Sequence, residues 1–227
     1  MDKIIYYGHA TIGLELDGHL CIIDPFFDGN PMAPISWQDV KPEFLLITHG
    51  HGDHIGDTQE IYKQCEPMVI ANFEIIEYLI SQGVTKVHSQ HIGGAYNHVF
   101  GKVKLTNALH GSMLPDGSNG GNPAGFLITA RSGKKIYVAG DTGLFGDMGL
   151  IGEEGIDIAL LPIGDNYTMG PDDALRAVKL LKPKIVIPVH YNTWPIIAQD
   201  PFKWANEVEN KTETKVVVLA PGATLDL

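Results

Sequence analysis

Phe44-Leu45-Leu46-Ile47 runs straight into Thr48-His49-Gly50-His51-Gly52-Asp53-His54. A compact apolar run bounded by turn residues reads as a strand buried on both faces. The segment after it places three of the ten histidines within six residues, with a carboxylate beside them. Gly50 and Gly52 allow a sharp turn at the strand's end, so several donors can converge. Imidazole nitrogen and carboxylate oxygen suit zinc, manganese, iron or nickel. A solvated polar loop has little use for a row of imidazoles, so the segment reads as part of a metal centre.

Working outward, single donors stand at the ends of later apolar runs. His110 follows Lys104–Leu109, Asp141 follows Ile136–Gly140 and His190 follows Ile185–Val189. A sheet edge gathers distant residues into one pocket in this way. Upstream, 3–7, 12–16 and 20–23 read as strands, with Asp17-Gly18 as a hairpin turn. Residues 58–65 and 74–81 read as helices, the second with Ile75, Ile76, Leu79 and Ile80 on one face. Residues 68–71 read as a strand, and 99–108 as strand-like with a turn at Gly101-Lys102. Strands at 126–130 and 135–139 flank the turn 131–134. Residues 157–161, 184–189, 215–219 and 223–225 complete the strands. Helices are expected over 171–181, with Pro171 at its start, and over 201–210. No linker interrupts the chain, so residues 1–227 read as one domain.

A chain of 227 residues is long enough for a sizeable core without disulfides. Its formal charge is -11, and its only arginines are Arg131 and Arg176. Such a chain is a poor electrostatic match for nucleic acid or an anionic membrane. Lys102-Val103-Lys104 and Lys182-Pro183-Lys184 read as solvated turns. The two cysteines, Cys21 and Cys65, make no CxxC pair and read as buried thiols in a reducing, cytoplasmic setting. The first residues lack the basic and apolar regions of a secretory signal.

The HxHxDH loop, followed in order by a His, an Asp and a His, resembles the metallo-β-lactamase superfamily. Further stretches, 140–145, 162–171 and 188–191, are similar to a small branch of metal-dependent hydrolases. That branch is related to the ascorbate-6-phosphate lactonases and, more distantly, to phospholipase-D-type enzymes acting on N-acyl lipids. Gly8-His9-Ala10 and Ile23-Asp24-Pro25-Phe26 share this likeness, which spans nearly the whole chain. The resemblance implies an α/β fold, a four-layer αββα sandwich of two mixed β-sheets flanked by helices. It implies one metal on His49, His51 and His110, a second on Asp53, His54 and His190, and Asp141 bridging them. The expected cofactors are thus two divalent ions, zinc first, with manganese or nickel as alternatives. Asp24 stands where the family has an acid that orients ligand imidazoles, and Thr48 is read the same way through its hydroxyl. His9 is expected near the pocket, as a substrate contact or proton donor; a structural loop histidine is the equal alternative. His19, His88, His91 and His98 have no matching role.

Two such cations sharing a water make hydroxide available near neutral pH for attack on a carbonyl or phosphoryl centre. Asp53 is expected to orient that hydroxide and accept its proton. No GxSxG nucleophile is present. The reading is therefore a hydrolase of a small ester, lactone or phosphoester. A nuclease or phosphodiesterase using the same site, and a non-catalytic metal-binding protein, are the competing classes. The expected partner is a small-molecule substrate, with no nucleic acid and no membrane; homo-oligomerisation is left open. Trp37, Met113, Tyr167, Met169, Tyr191 and Trp194 read first as packing and second as pocket lining.

Overall fold

Short runs of alternating apolar residues, separated by turn chemistry, build two sheets. The computed structural model describes residues 2–227. β1 (Lys3–Tyr6), β2 (Ile12–Leu16) and β3 (His19–Ile23) form an antiparallel meander. Asp17 and Gly18 turn between β2 and β3 at φ 52° and 84°, the two left-handed residues that a tight hairpin needs. β4 (Phe44–Leu46) pairs parallel with β3. The chain then passes through α1 (Gly52–Ile55), α2 (Thr58–Cys65), β5 (Met68–Asn72), α3 (Phe73–Ser81) and β6 (Val87–Gln90). β5 and β6 extend the parallel half.

The second sheet repeats the scheme. β7 (Ala95–His98), β8 (Gly101–Asn107), β9 (Ala124–Ala130) and β10 (Lys135–Val138) are antiparallel neighbours. After α4 (Met148–Gly152), β11 (Ile158–Pro162), α5 (Pro171–Leu181), β12 (Ile185–Val189), α6 (Pro201–Lys211) and β13 (Lys215–Val216) complete the parallel half. β14 (Thr224–Asp226) crosses back to pair with β1. The sheet orders are β14-β1-β2-β3-β4-β5-β6 and β13-β12-β11-β10-β9-β8-β7. Two mixed seven-stranded sheets flanked by helices are the αββα architecture that the resemblance implied.

Period-two alternation explains the layers. Ile23, Leu46 and Ile70 of the first sheet meet Leu105, Phe126, Leu160 and Ile187 of the second in the central core. Their neighbours Ile22, Leu45 and Val69 face outward and are covered by Ile61 of α2 and Ile75 and Leu79 of α3. Ala159 and Val186 face the other way, under Ala174 and Val178 of α5 and Trp204 of α6. Both faces of the parallel strands are therefore dry, which is why their sequences read as continuous apolar runs.

Some details differ from expectation. The hairpin between β7 and β8 turns at Val99-Phe100, because His98 pairs with Gly101; Gly101 and Lys102 lie inside β8. Lys102 and Lys104 are strand residues on the outer half of the second sheet, not turn residues. Ile80 is exposed, off the buried face of α3. β6, β7, α1 and α4 escape the sequence reading. β6 and β7 are short, polar edge strands, the composition that keeps an edge from pairing with other chains. Both cysteines are free thiols, Cys21 in the central core and Cys65 half-buried on α2. Among the described residues no helix is long and apolar enough to cross a membrane.

Candidate metal centre

The donors sit where strands end. The first loop leaves β4 and enters α1, with His51 as the residue before the helix. Gly50 donates its N–H to Ser112 Oγ at 3.0 Å, and a Cβ on Gly50 would come within 3.0 Å of the Ser112 carbonyl oxygen. Ser112 in turn donates to the Gly120 carbonyl at 3.1 Å. This hydroxyl locks the HxHxDH loop onto the one carrying His110. β8, β10 and β12 run in the same direction, so His110, Asp141 and His190 emerge at one edge. Thr142 ties two of these loops together: its Oγ1 accepts from Leu109 N at 2.9 Å and donates to the Gly143 carbonyl at 2.7 Å.

His9 enters from the β1–β2 turn. Its carbonyl accepts from His190 N at 2.8 Å and from the Tyr6 hydroxyl at 3.2 Å. His9, Asp24 and His190 all hold left-handed backbone, at φ 55°, 49° and 53°. Non-glycine residues adopt this region rarely and at a cost, so its recurrence marks a site whose surroundings impose it.

All seven expected donors, and His9, come together. Ligand atoms of His49, His51 and His110 lie within 4.8 Å of one another, as do those of His9, Asp53, His54 and His190. A third such set, His49, His54 and Asp141, shares one histidine with each of these and joins them. Asp141 Oδ2 is the hub: it stands 3.0 Å from His190 Nε2, 3.3 Å from His54 Nε2 and 3.6 Å from His110 Nε2. Yet His54 Nε2, His190 Nε2 and Asp141 Oδ1 are buried with no aligned hydrogen-bond partner. Buried polar atoms left unpaired are costly. Nitrogen and oxygen lone pairs aimed together without hydrogen bonds fit a divalent cation.

Neighbours set the imidazole tautomers. Asp24 is fully buried, and its carboxylate accepts from Thr48 N at 2.8 Å, Thr48 Oγ1 at 2.7 Å and His54 Nδ1 at 2.8 Å. His54 thereby carries its proton on Nδ1 and turns Nε2 to the centre. The Thr48 hydroxyl, having donated to Asp24, accepts from His49 Nδ1 at 3.0 Å, which frees His49 Nε2 in the same way. Asp24 and Thr48 thus make the orienting contacts to ligand imidazoles that the sequence reading expects of them.

Burial pushes the His49, His110 and His9 imidazoles down, His9 to about 4, and favours neutral rings with a lone pair to give. Burial also pulls down His54, but the carboxylates of Asp141 and Asp24 outweigh it and lift His54 well above the ordinary value. For Asp141 and Asp53 burial raises the carboxyl pKa. His190 and His54 overturn that for Asp141, and the His9 hydrogen bond does so for Asp53, so both stay below the usual carboxylate range.

The sequence leaves His9 equally a substrate contact or proton donor and a structural loop histidine; the structure gives it no direct substrate contact. His9 has no exposed surface; Nδ1 meets Thr193 Oγ1 at 2.8 Å and Nε2 meets Asp53 Oδ2 at 3.1 Å. It reaches the pocket through Asp53. No sequence signal marks Thr193. Beside the donors lies a cavity of about 540 Å³ lined by Asp53, His110, Asp141 and His190. Tyr167, Trp194 and Ile196 supply its large apolar side chains, and no lysine or arginine lines it. Tyr167 and Trp194 were among the loop candidates; Ile196 was not. Met169 and Tyr191 are core residues, Trp37 packs beside the first sheet's outer core, and Met113 is exposed outside the cavity.

The family model described as "Beta-lactamase superfamily domain" matches residues 19–191. The chain belongs to the beta-lactamase superfamily. This superfamily member is 51% identical to a UPF0173 metal-dependent hydrolase of Desulforamulus reducens, over 99% of its own length and 100% of the relative's. It is 50% identical to a UPF0173 metal-dependent hydrolase of Bacillus cytotoxicus, over 92% and 94%. Among solved structures it resembles Igni18, a metallo hydrolase of Ignicoccus hospitalis, with 37% identity, a TM-score of 0.90 and coverage of 100% and 99%. With such relatives along its whole length, the superfamily protein is a metal-dependent hydrolase.

Proposed function

We propose that the protein hydrolyses a small ester, lactone or phosphoester at a two-metal centre. His49, His51 and His110 would hold one ion, Asp53, His54 and His190 the other, and Asp141 would serve both. The observation that carries this reading is the position of Asp141 Oδ2, within 3.6 Å of imidazoles from both sets. Divalent cations, once bound, supply a nucleophile at neutral pH and a Lewis acid for the developing oxyanion. Zinc suits the nitrogen-rich set, and manganese or nickel are alternatives.

The protein's own groups do the rest. Asp53 presents a partly exposed carboxylate to the cavity, where it orients the attacking water and accepts its proton. His9 donates from Nε2 to Asp53 and accepts the Thr193 hydroxyl at Nδ1. It is a positioning residue that holds one Asp53 oxygen and leaves the other free. The lack of lysine or arginine around the cavity gives phosphodiester backbones no clamp, so the nuclease reading gains no support.

Protein loaded separately with zinc, manganese and nickel should be screened against ester, lactone and phosphoester panels while metal is titrated calorimetrically. Turnover with saturation near two ions per chain is expected. Saturation at one would overturn the two-metal reading, and no turnover across the panel would overturn the substrate class.

A further inference from the structure

Resting on the hydrolase reading, the geometry points to an apolar subsite formed by Tyr167, Trp194 and Ile196. We infer that the substrate is a neutral ester or lactone carrying an aliphatic or aromatic group that lies against this face. Three observations carry the inference. First, Tyr167 and Ile196 are more than half exposed, at 52% and 57%, at the cavity that holds the donors. None of the three side chains belongs to the apolar cores described above. Tyr167 and Ile196 are large apolar groups kept exposed beside the reacting centre, and an apolar ligand group covering them would be removed from water.

Second, the face is pre-formed. Asp165 and Asn166, at φ 64° and 53°, are consecutive left-handed residues that present Tyr167. Asp165 N donates to the Met169 carbonyl at 3.1 Å and Asn166 N to Asp165 Oδ1 at 2.8 Å. Asn192, at φ 60°, donates its N–H to the Ile197 carbonyl at 2.9 Å, closing the loop that carries Trp194 and Ile196. Gln199 Nε2 reaches the Gly164 carbonyl at 3.2 Å and links the two loops. The Trp194 ring stands edge-on to His9 at 4.9 Å. A face held this way loses little conformational freedom when a ligand covers it.

Third, the side chains lining the cavity offer no clamp for an anionic tail. Asp53 and Asp141 line the cavity, no cationic side chain does, and the whole chain carries -11. A second anion beside those carboxylates would find no counter-charge among the lining side chains.

The test uses the metal-loaded full chain and two homologous series. One is p-nitrophenyl esters from acetate to octanoate, read as kcat/KM. The other is the non-labile amides from acetamide to hexanamide, read as affinity by calorimetry. Each added methylene should raise both by up to about fourfold until the face is covered. Ile196→Ser and Tyr167→Ser, at exposed positions that tolerate a polar side chain, should flatten both slopes. Turnover with a flat slope would remove the subsite and leave the hydrolase reading intact. A sloped affinity without turnover of any ester would keep the subsite and remove that reading. Slopes unchanged in the variants, or no binding of any amide, would overturn the inference. A more than tenfold kcat/KM preference for a phosphorylated substrate over its neutral counterpart would do the same.

Discussion

Asp53 answers to two sides at once. On one it accepts a hydrogen bond from a buried, neutral histidine; on the other it faces the cavity. On the proposed mechanism, truncating it removes an oriented proton acceptor but leaves His49, His51 and His110 untouched, since these converge without it. Asp53→Ala should therefore lose at least about 100-fold in kcat while still binding metal at the His49, His51 and His110 set. Steady-state rates beside a metal titration check this, and wild-type turnover in the variant would refute the role. Asp53 and its neighbours were legible in the sequence because a dense donor motif has few other uses. Thr193 was not, because one threonine in a loop carries no pattern; only folding sets its hydroxyl 2.8 Å from His9.

Among elements, β7 illustrates how an edge strand can hold a pH-dependent contribution to stability. His98 stacks on Phe100 with rings 5.4 Å apart, and Phe44, Tyr96 and His88 surround it. Burial, with a smaller effect of His88, lowers its pKa to about 4. The folded state thus favours the neutral ring. Its contribution is complete above the unfolded value of about 6.5 and is lost as pH falls from there towards 4. His98→Leu should flatten this part of the curve: the fall in urea midpoint between pH 7 and pH 5 should be smaller than in the wild type. An equal fall in both proteins would show that the cluster does not contribute. β7 itself was missed because Ala95-Tyr96-Asn97-His98 lacks apolar alternation. By contrast α5 was placed to the residue, its start set by Pro171 and the acidic Asp172 and Asp173 and its end by left-handed Lys182.

At the scale of the molecule the donors join two sheets. His49, His51, Asp53 and His54 come from the first, and His110, Asp141 and His190 from the second. Binding at the centre therefore opposes any separation of the layers. A ligand present at 100 times its dissociation constant adds about 2.7 kcal/mol, and a chain of this size gains roughly 2–4 °C per kcal/mol. Stripping metal with a chelator should lower Tm by about 5–10 °C, and adding it back should restore Tm, as read by calorimetry. An unchanged Tm would mean that the centre does not link the sheets.

By itself the sequence determined the local features: which runs are strands, where helices start, and that three histidines and an aspartate crowd one loop. These are short-range properties, encoded in periodicity and in neighbours along the chain. The tertiary structure alone decided that Asp141 lies between the two donor sets, that His9 sits buried behind Asp53, and that Tyr167 and Ile196 share a cavity with the candidate metal donors. Each depends on strands far apart in sequence ending at the same edge. His9, Asp24 and His190 also hold left-handed backbone that no local propensity would choose. Thr48 and His54 hold Asp24 within the first sheet, whereas the bond from His190 N to the His9 carbonyl exists only once both sheets have formed.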